Sequence, residues 1–214
     1  MEEKQLSEQE SLLLIQQMIN TAKKEQVDDG KRWIVWGWML CSASLFTVLN
    51  VQFHWFQNMF LFWNAFGVVS LAWFAYRIYL FLFKKTTSRV KTYTGDLFSR
   101  LNGGFFISLI FIIISINIGG TVLDSIVPVN IGFALLINLY AFWILIYGAA
   151  LNFKPSVIGA YVAWAFGLVA LFANQFTYVM LLHAAAVLCG YIIPGHLANR
   201  KFKELHSKGE HLRV

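Results

Sequence analysis

Six apolar runs separated by polar breaks constrain this chain more than any other feature. They cover residues 33–51, 59–83, 104–123, 129–151, 156–173 and 176–193. A hydrocarbon core of about 30 Å is crossed by about 20 apolar residues in a helix, so each run is a candidate span. The breaks are readable. His54 and Gln57-Asn58 part the first two runs, and a polar loop, 84–103, parts the second and third. Asp124 with Pro128, then Asn152-Phe153-Lys154-Pro155, then Asn174-Gln175 divide the rest. Such short breaks imply tight helical hairpins, although the last two runs also suit a single re-entrant pair. Hydrophobic residues make up 58% of the chain and charged residues 13%. Soluble domains carry about 25% charged residues, so this composition excludes a soluble globule. The expected fold is all-α: an integral membrane six-helix bundle with an N-terminal amphipathic cytoplasmic helix. That divides the chain into an arm, 1–32, a membrane domain, 33–194, and a basic cytoplasmic tail, 195–214.

Orientation follows from Lys and Arg, which favour the cytoplasmic side. Sixteen of the 17 fall in the arm, the 84–103 loop, the Lys154 turn and the tail. The exception is Arg77, which lies within the second run near its inner end and can snorkel to the surface. The other three connections carry none. Six spans put all the basic segments on one side and both termini in the cytoplasm; an odd number would scatter them. The polar opening Met1-Glu2-Glu3-Lys4 is unlike a signal peptide, so the first run is expected to act as an uncleaved anchor. Trp33, Trp36 and Trp38 fall where that run enters the inner interface, the usual place for belt aromatics.

The arm has its own pattern. Ser7 with Glu10 fits a capping box, and Leu12, Ile15, Ile19 and Ala22 fall on one helical stripe. Leu12, Ile15 and Ile19 form a candidate partner-docking face. It is expected to cover its own protein, a second subunit of a homo-oligomer, or a cytoplasmic protein partner. The arm holds seven acids against five bases, while loop and tail are basic. Opposite charges on one side favour internal pairing, and each exposed pair contributes little. Anionic inner-leaflet lipids of the bilayer would also attract loop and tail, by about 1 kcal/mol per Lys or Arg. No nucleic-acid-binding motif accompanies these bases, so nucleic acid is not an expected partner.

Polar residues inside the runs call for an explanation. Asn64, Asn117, Asn130, Asn138 and His183 form a candidate polar seam. Two readings stand. The amides and the imidazole bond across a packed bundle, or they line a path for a small solute, with His183 the sharpest candidate for ligand or proton contact. Trp63, Trp73, Trp143 and Trp164 also lie within runs, as packing residues or as an aromatic ligand cage. Gly159, Ala163 and Gly167 form a ridge of small residues that permits close helix contact. Cys41 and Cys189 read as small buried hydrophobes, and His196, His206 and His211 as solvated residues too loosely spaced for a metal. No nucleophile–base set, carboxylate pair or phosphate loop occurs in the runs. The chain is therefore expected to be no enzyme and to carry no metal or cofactor.

The segment Glu10-Ser11-Leu12-Leu13-Leu14-Ile15-Gln16-Gln17-Met18-Ile19, followed by Trp36-Gly37-Trp38, resembles a loose group of uncharacterised bacterial multi-span membrane proteins. The resemblance implies a bacterial inner membrane. It carries over no activity and no functional residues. The function expected from all this is a non-enzymatic module that senses the membrane or holds a partner; the alternative is a small-solute transporter or channel built on the seam.

Overall fold

A computed structural model describes residues 29–83, 93–122 and 125–211. The partner-docking face of Leu12, Ile15 and Ile19 lies outside them. Helices account for the regular structure of the described residues, and no strand occurs among them. They are α1 (Lys31–Phe53), α2 (Leu61–Phe83), α3 (Tyr93–Thr121), α4 (Ile126–Ala150), α5 (Lys154–Leu171) and α6 (Phe176–Val187). A π-helical turn (Leu188–Ile192) then joins α6 to α7 (Ile193–His211) without a break. Five of these helical segments, Lys31–Phe53, Arg100–Thr121, Ile126–Ala150, Lys154–Leu171 and Phe176–Glu204, are long and apolar enough to cross a membrane. α2 has 23 residues, and within it the stretch Leu61–Trp73 is a shorter apolar helix.

The ends of the helices explain the hairpins. α1 stops at His54, whose φ of 52° is left-handed and whose N–H returns to the Asn50 carbonyl at 2.8 Å. α4 stops in a Schellman motif. Asn152 takes the left-handed position at φ 49°, its N–H bonds the Ala149 carbonyl, and Phe153 N–H bonds the Gly148 carbonyl at 2.7 Å. The chain then re-enters a helix at once, with Pro155 in the first turn of α5. That turn needs no N–H from it.

Neither Pro128, expected at a break, nor Pro194, just past the expected end of the sixth run, breaks a helix. Pro128 lies in the first turn of α4, behind Ser125, whose Oγ accepts from Val127 N–H at 3.4 Å. Pro194 lies in the continuous α6–α7 rod. A mid-helix proline loses a hydrogen bond and clashes with the carbonyl four residues back. The wider turn at Leu188–Ile192 immediately precedes it, and Ile193 N–H reaches five residues back to Leu188. The sixth apolar run thus flows into the tail rather than ending at Pro194-Gly195.

This rod is the axis of the bundle. α1, α4 and α5 pack around it, α2 lies against α1, and α3 lies against α4. The small-residue ridge faces inward. Gly159 sits so close to the rod that a Cβ there would meet the Cys189 carbonyl oxygen at 2.6 Å and the Gly190 Cα at 3.3 Å. Ala163 is buried, and Gly167 abuts Ile137 of α4. Cys41 is buried in the core and Cys189 half-buried, both as thiols.

The flanking helices are different. Val68, Leu71 and Trp73 of α2, and Ile107, Phe111, Ile114 and Ile118 of α3, are exposed. α1 has an inverted pattern: Ser44, Thr47 and Asn50 face the core while Val35, Trp38, Phe46 and Phe53 face out. A helix in lipid gains nothing by hiding apolar side chains. It gains by turning its small and polar ones toward other helices.

Substituting the glycines separates these environments. Gly159→Ala is expected to be the most destabilising, because its Cβ meets backbone that cannot move aside. Gly167→Ala comes nearest the Ile137 Cγ2 at 3.2 Å, the end of a side chain, and Gly103→Ala meets nothing within 4 Å. Overpacking typically costs about 1–3 kcal/mol. Thermal unfolding in detergent should rank the losses in that order, with Gly103→Ala neutral or stabilising.

Candidate functional site

The centre of the bundle holds a histidine. α6 carries His183 two turns below the start of the helix, facing α1 and α4. It is 0% exposed. Its Nδ1 lies 2.8 Å from Ser44 Oγ on α1. Ser44 Oγ also donates to the Leu40 carbonyl at 3.0 Å, one turn back on its own helix. A hydroxyl has one proton to give. With that proton on the Leu40 carbonyl, the back-bond usual for a helical serine, His183 would donate from Nδ1 and hold its lone pair on Nε2. That assignment follows from the network rather than from hydrogen positions. Nε2 has no hydrogen-bond partner.

Three aromatic rings pack edge-to-face with the imidazole: Trp63 of α2 at 5.1 Å between centroids, and Tyr140 and Phe133 of α4 at 5.7 Å and 6.3 Å. Trp63 is fixed by two further contacts. Its ring lies 4.9 Å from Phe133, and its Nε1–H donates to Met180 Sδ at 3.2 Å. No group touching His183 in these contacts carries a formal charge. Trp63 was legible as a candidate cage residue. Tyr140, Phe133 and Ser44 were not, because an aromatic or a serine in an apolar run has no spacing that marks it.

The five seam residues do not converge. Asn64 and Asn117 are exposed on α2 and α3, and Asn117 Nδ2 donates to the Ile113 carbonyl of its own helix at 2.8 Å. Asn138 is exposed and accepts from Trp164 Nε1–H at 2.7 Å, tying α4 to α5. Asn130 is buried near the start of α4, with Nδ2 3.5 Å from the Ala173 carbonyl and its Oδ1 unpartnered. Only His183 reaches the centre. Asn50, which no pattern singled out, staples the α1–α2 loop: its Oδ1 accepts from Phe56 N–H at 2.8 Å and its Nδ2 donates to the Asn58 carbonyl at 3.1 Å.

A second constellation forms at the end of the bundle where α1 begins. Gly30, at φ 66°, lets the chain pass against Gly195 and Asn199 of α7. Asn199 Nδ2 donates to the Asp29 carbonyl at 2.7 Å. Trp33 is buried between Tyr147 and Tyr191, at 4.5 Å and 5.1 Å between rings. It is a packing residue, not a belt residue. Trp38 is exposed, as a belt residue would be. Phe98, two residues before Arg100, also packs on Tyr147, and Lys201 lies 6.0 Å over the Phe153 ring beside Lys154. Lys31, Arg32, Arg100, Lys154, Arg200, Lys201 and Lys203 are therefore gathered at one end. At the other end, residues 54–60, 122, 125 and 172–175 include no Lys or Arg. Among the described residues no group of three His, Cys, Asp or Glu is placed to hold a metal.

Ser44→Ala removes the acceptor of the buried Nδ1–H. An unsatisfied buried donor costs about 1–3 kcal/mol, so the melting temperature in detergent should fall. Ser42→Ala is the control. Its hydroxyl bonds only the Met39 carbonyl of its own helix, and its loss should be near neutral. Compared with protein-family models, curated proteins and solved structures, the chain matches none.

Proposed function

We propose that this chain is a six-span protein of a bacterial inner membrane, with both termini in the cytoplasm. It acts without catalysis, as a module that engages anionic inner-leaflet lipids and holds a cytoplasmic partner at its basic end. One observation carries this reading. The first turn of α1, the α4–α5 turn and α7 meet at a single end, joined through Asn199 and Asp29, and that end collects the cations. Such an end suits the inner face of a membrane by the positive-inside rule. It also brings the first turn of α1, Arg100 and α7 to one end, where one partner can touch all three. A bacterial inner membrane rests on the resemblance at the head of the chain. The transport reading would gain from polar residues strung along one path, and the seam residues lie on separate faces.

Topology is tested by reporter fusions. Those at Asn58, Pro128 and Asn174 should read outside and one at Lys91 inside; an inside signal at Asn174 would end the six-span reading. Lipid engagement is tested by native mass spectrometry of Arg200→Glu/Lys201→Glu/Lys203→Glu. Each surface cation contributes about 1 kcal/mol toward an anionic leaflet, so retention of anionic lipid should drop steeply and retention of zwitterionic lipid should not. Equal retention of anionic lipid by both proteins would remove the basic end from the proposal.

A further inference from the structure

His183 Nε2 is fully buried and has no hydrogen-bond partner, and with the Ser44 proton on Leu40 it is an acceptor. Such atoms are rare, because an unmet polar group in a low-dielectric interior is costly. Its surroundings define what would satisfy it. Trp63, Phe133 and Tyr140 bring π-systems within 5.1–6.3 Å of the imidazole centroid. They offer stacking and edge-to-face contact to another ring. No carboxylate is among these neighbours, so a buried cation would lack a counter-charge and lose its hydration. A neutral molecule with a flat ring and one hydroxyl donor fits this chemistry.

The structure also marks a way in. α2 leans on α1 and reaches α4 and α6 through Trp63 on Phe133 and His183, while Phe60, just before it, packs on Phe176 at 5.4 Å. Below these contacts α2 keeps to α1 through Phe66 on Trp36, and its other face is open. A Cβ on Gly67 would meet nothing within 4 Å, and Val68, Leu71 and Trp73 are exposed. The Trp63 indole is held by a hydrogen bond to a thioether, a weak acceptor. It is the ring that can be exchanged without moving α1, α4 or α6.

We propose that the Trp63–His183 site is a lateral binding site for a neutral, membrane-dissolved phenol or quinol head group. The ligand's ring takes the place the Trp63 indole now fills, and its hydroxyl donates to His183 Nε2. Trp63 is the door, and Ser44 is a positioning residue that keeps the Nε2 lone pair available by accepting from Nδ1–H.

The test uses the full chain in lipid nanodiscs with ring-15N-labelled histidine. The resonances of His183 are assigned by their loss in His183→Gln. If that variant does not fold, Ser44→Ala assigns them by displacement of Nδ1. Three probes share one decyl-tailed benzene ring: the 1,4-quinol, kept anaerobic, its quinone, and its dimethyl ether. The quinol alone can donate. It should shift the Nε2 resonance saturably, whereas quinone and ether should need concentrations at least about tenfold higher. In Trp63→Ala, where the door is gone, the quinol should act at a several-fold lower concentration. Equal potency of the three probes would reduce the effect to partition of an apolar ring and overturn the site. So would no shift in the wild type, including the case where Trp63→Ala alone responds. A weaker response in Trp63→Ala than in the wild type would overturn the exchange of rings.

Discussion

The close approach of α5 to the α6–α7 rod is the contact on which the rest of the bundle is built. Helices in lipid are not driven together by the hydrophobic effect, since acyl chains are as apolar as leucine. What holds them is the number of atoms brought into van der Waals range, and that depends on how near two backbones can come. Gly159 over Gly190, with Ala163 beside them, removes the side chains that would keep these helices apart. With α5 seated there, α4 closes against both, and Ile137, Ile144 and Met180 become fully buried. α1 then covers the remaining face of the rod with its small polar side. α2 and α3 are added on the outside and make far less of the core.

Much of this was legible. The apolar runs located α1 to α6, five of them long and apolar enough to cross a membrane, because hydropathy over about 20 residues is a strong signal. The ridge of Gly159, Ala163 and Gly167 could be identified as a contact face, because a helical repeat of residues without bulk has few other uses. The prolines misled for an understandable reason. Proline breaks a regular helix, but its cost vanishes in a first turn, as at Pro128, and is relieved by a widened turn, as before Pro194. Neither context is written in the local sequence. Tryptophan misled in a similar way. Trp33 lies where a belt residue would, and only the tertiary placement of Tyr147 and Tyr191 decides that it packs inward.

The polar residues divide along the same line. Spacing grouped Asn64, Asn117, Asn130, Asn138 and His183 because all are polar within apolar runs, and of these only His183 lies at the centre of the bundle. Spacing cannot say which face of each helix turns inward when the helix is apolar all round, as α4 to α6 nearly are. The signal that would have found Ser44, Thr47 and Asn50 is inverted: in a membrane helix the small polar positions mark the inside. Asn117 and Asn138 show why that rule alone is insufficient. An amide can also satisfy itself on its own helix or on a neighbouring indole at the surface.

The π-helical turn at Leu188–Ile192 has a consequence for the shape of the basic end. One residue more per turn acts like a one-residue insertion in an α-helix, rotating everything beyond it by about 100° relative to what lies before. Asn199 therefore meets Asp29 because of a phase set two turns earlier, beside Gly159. The turn works as an angular coupling between the buried packing of α5 and the direction in which α7 presents Arg200, Lys201 and Lys203. A chain with a regular α-helix through this point could keep every core contact above it and still aim its basic face elsewhere.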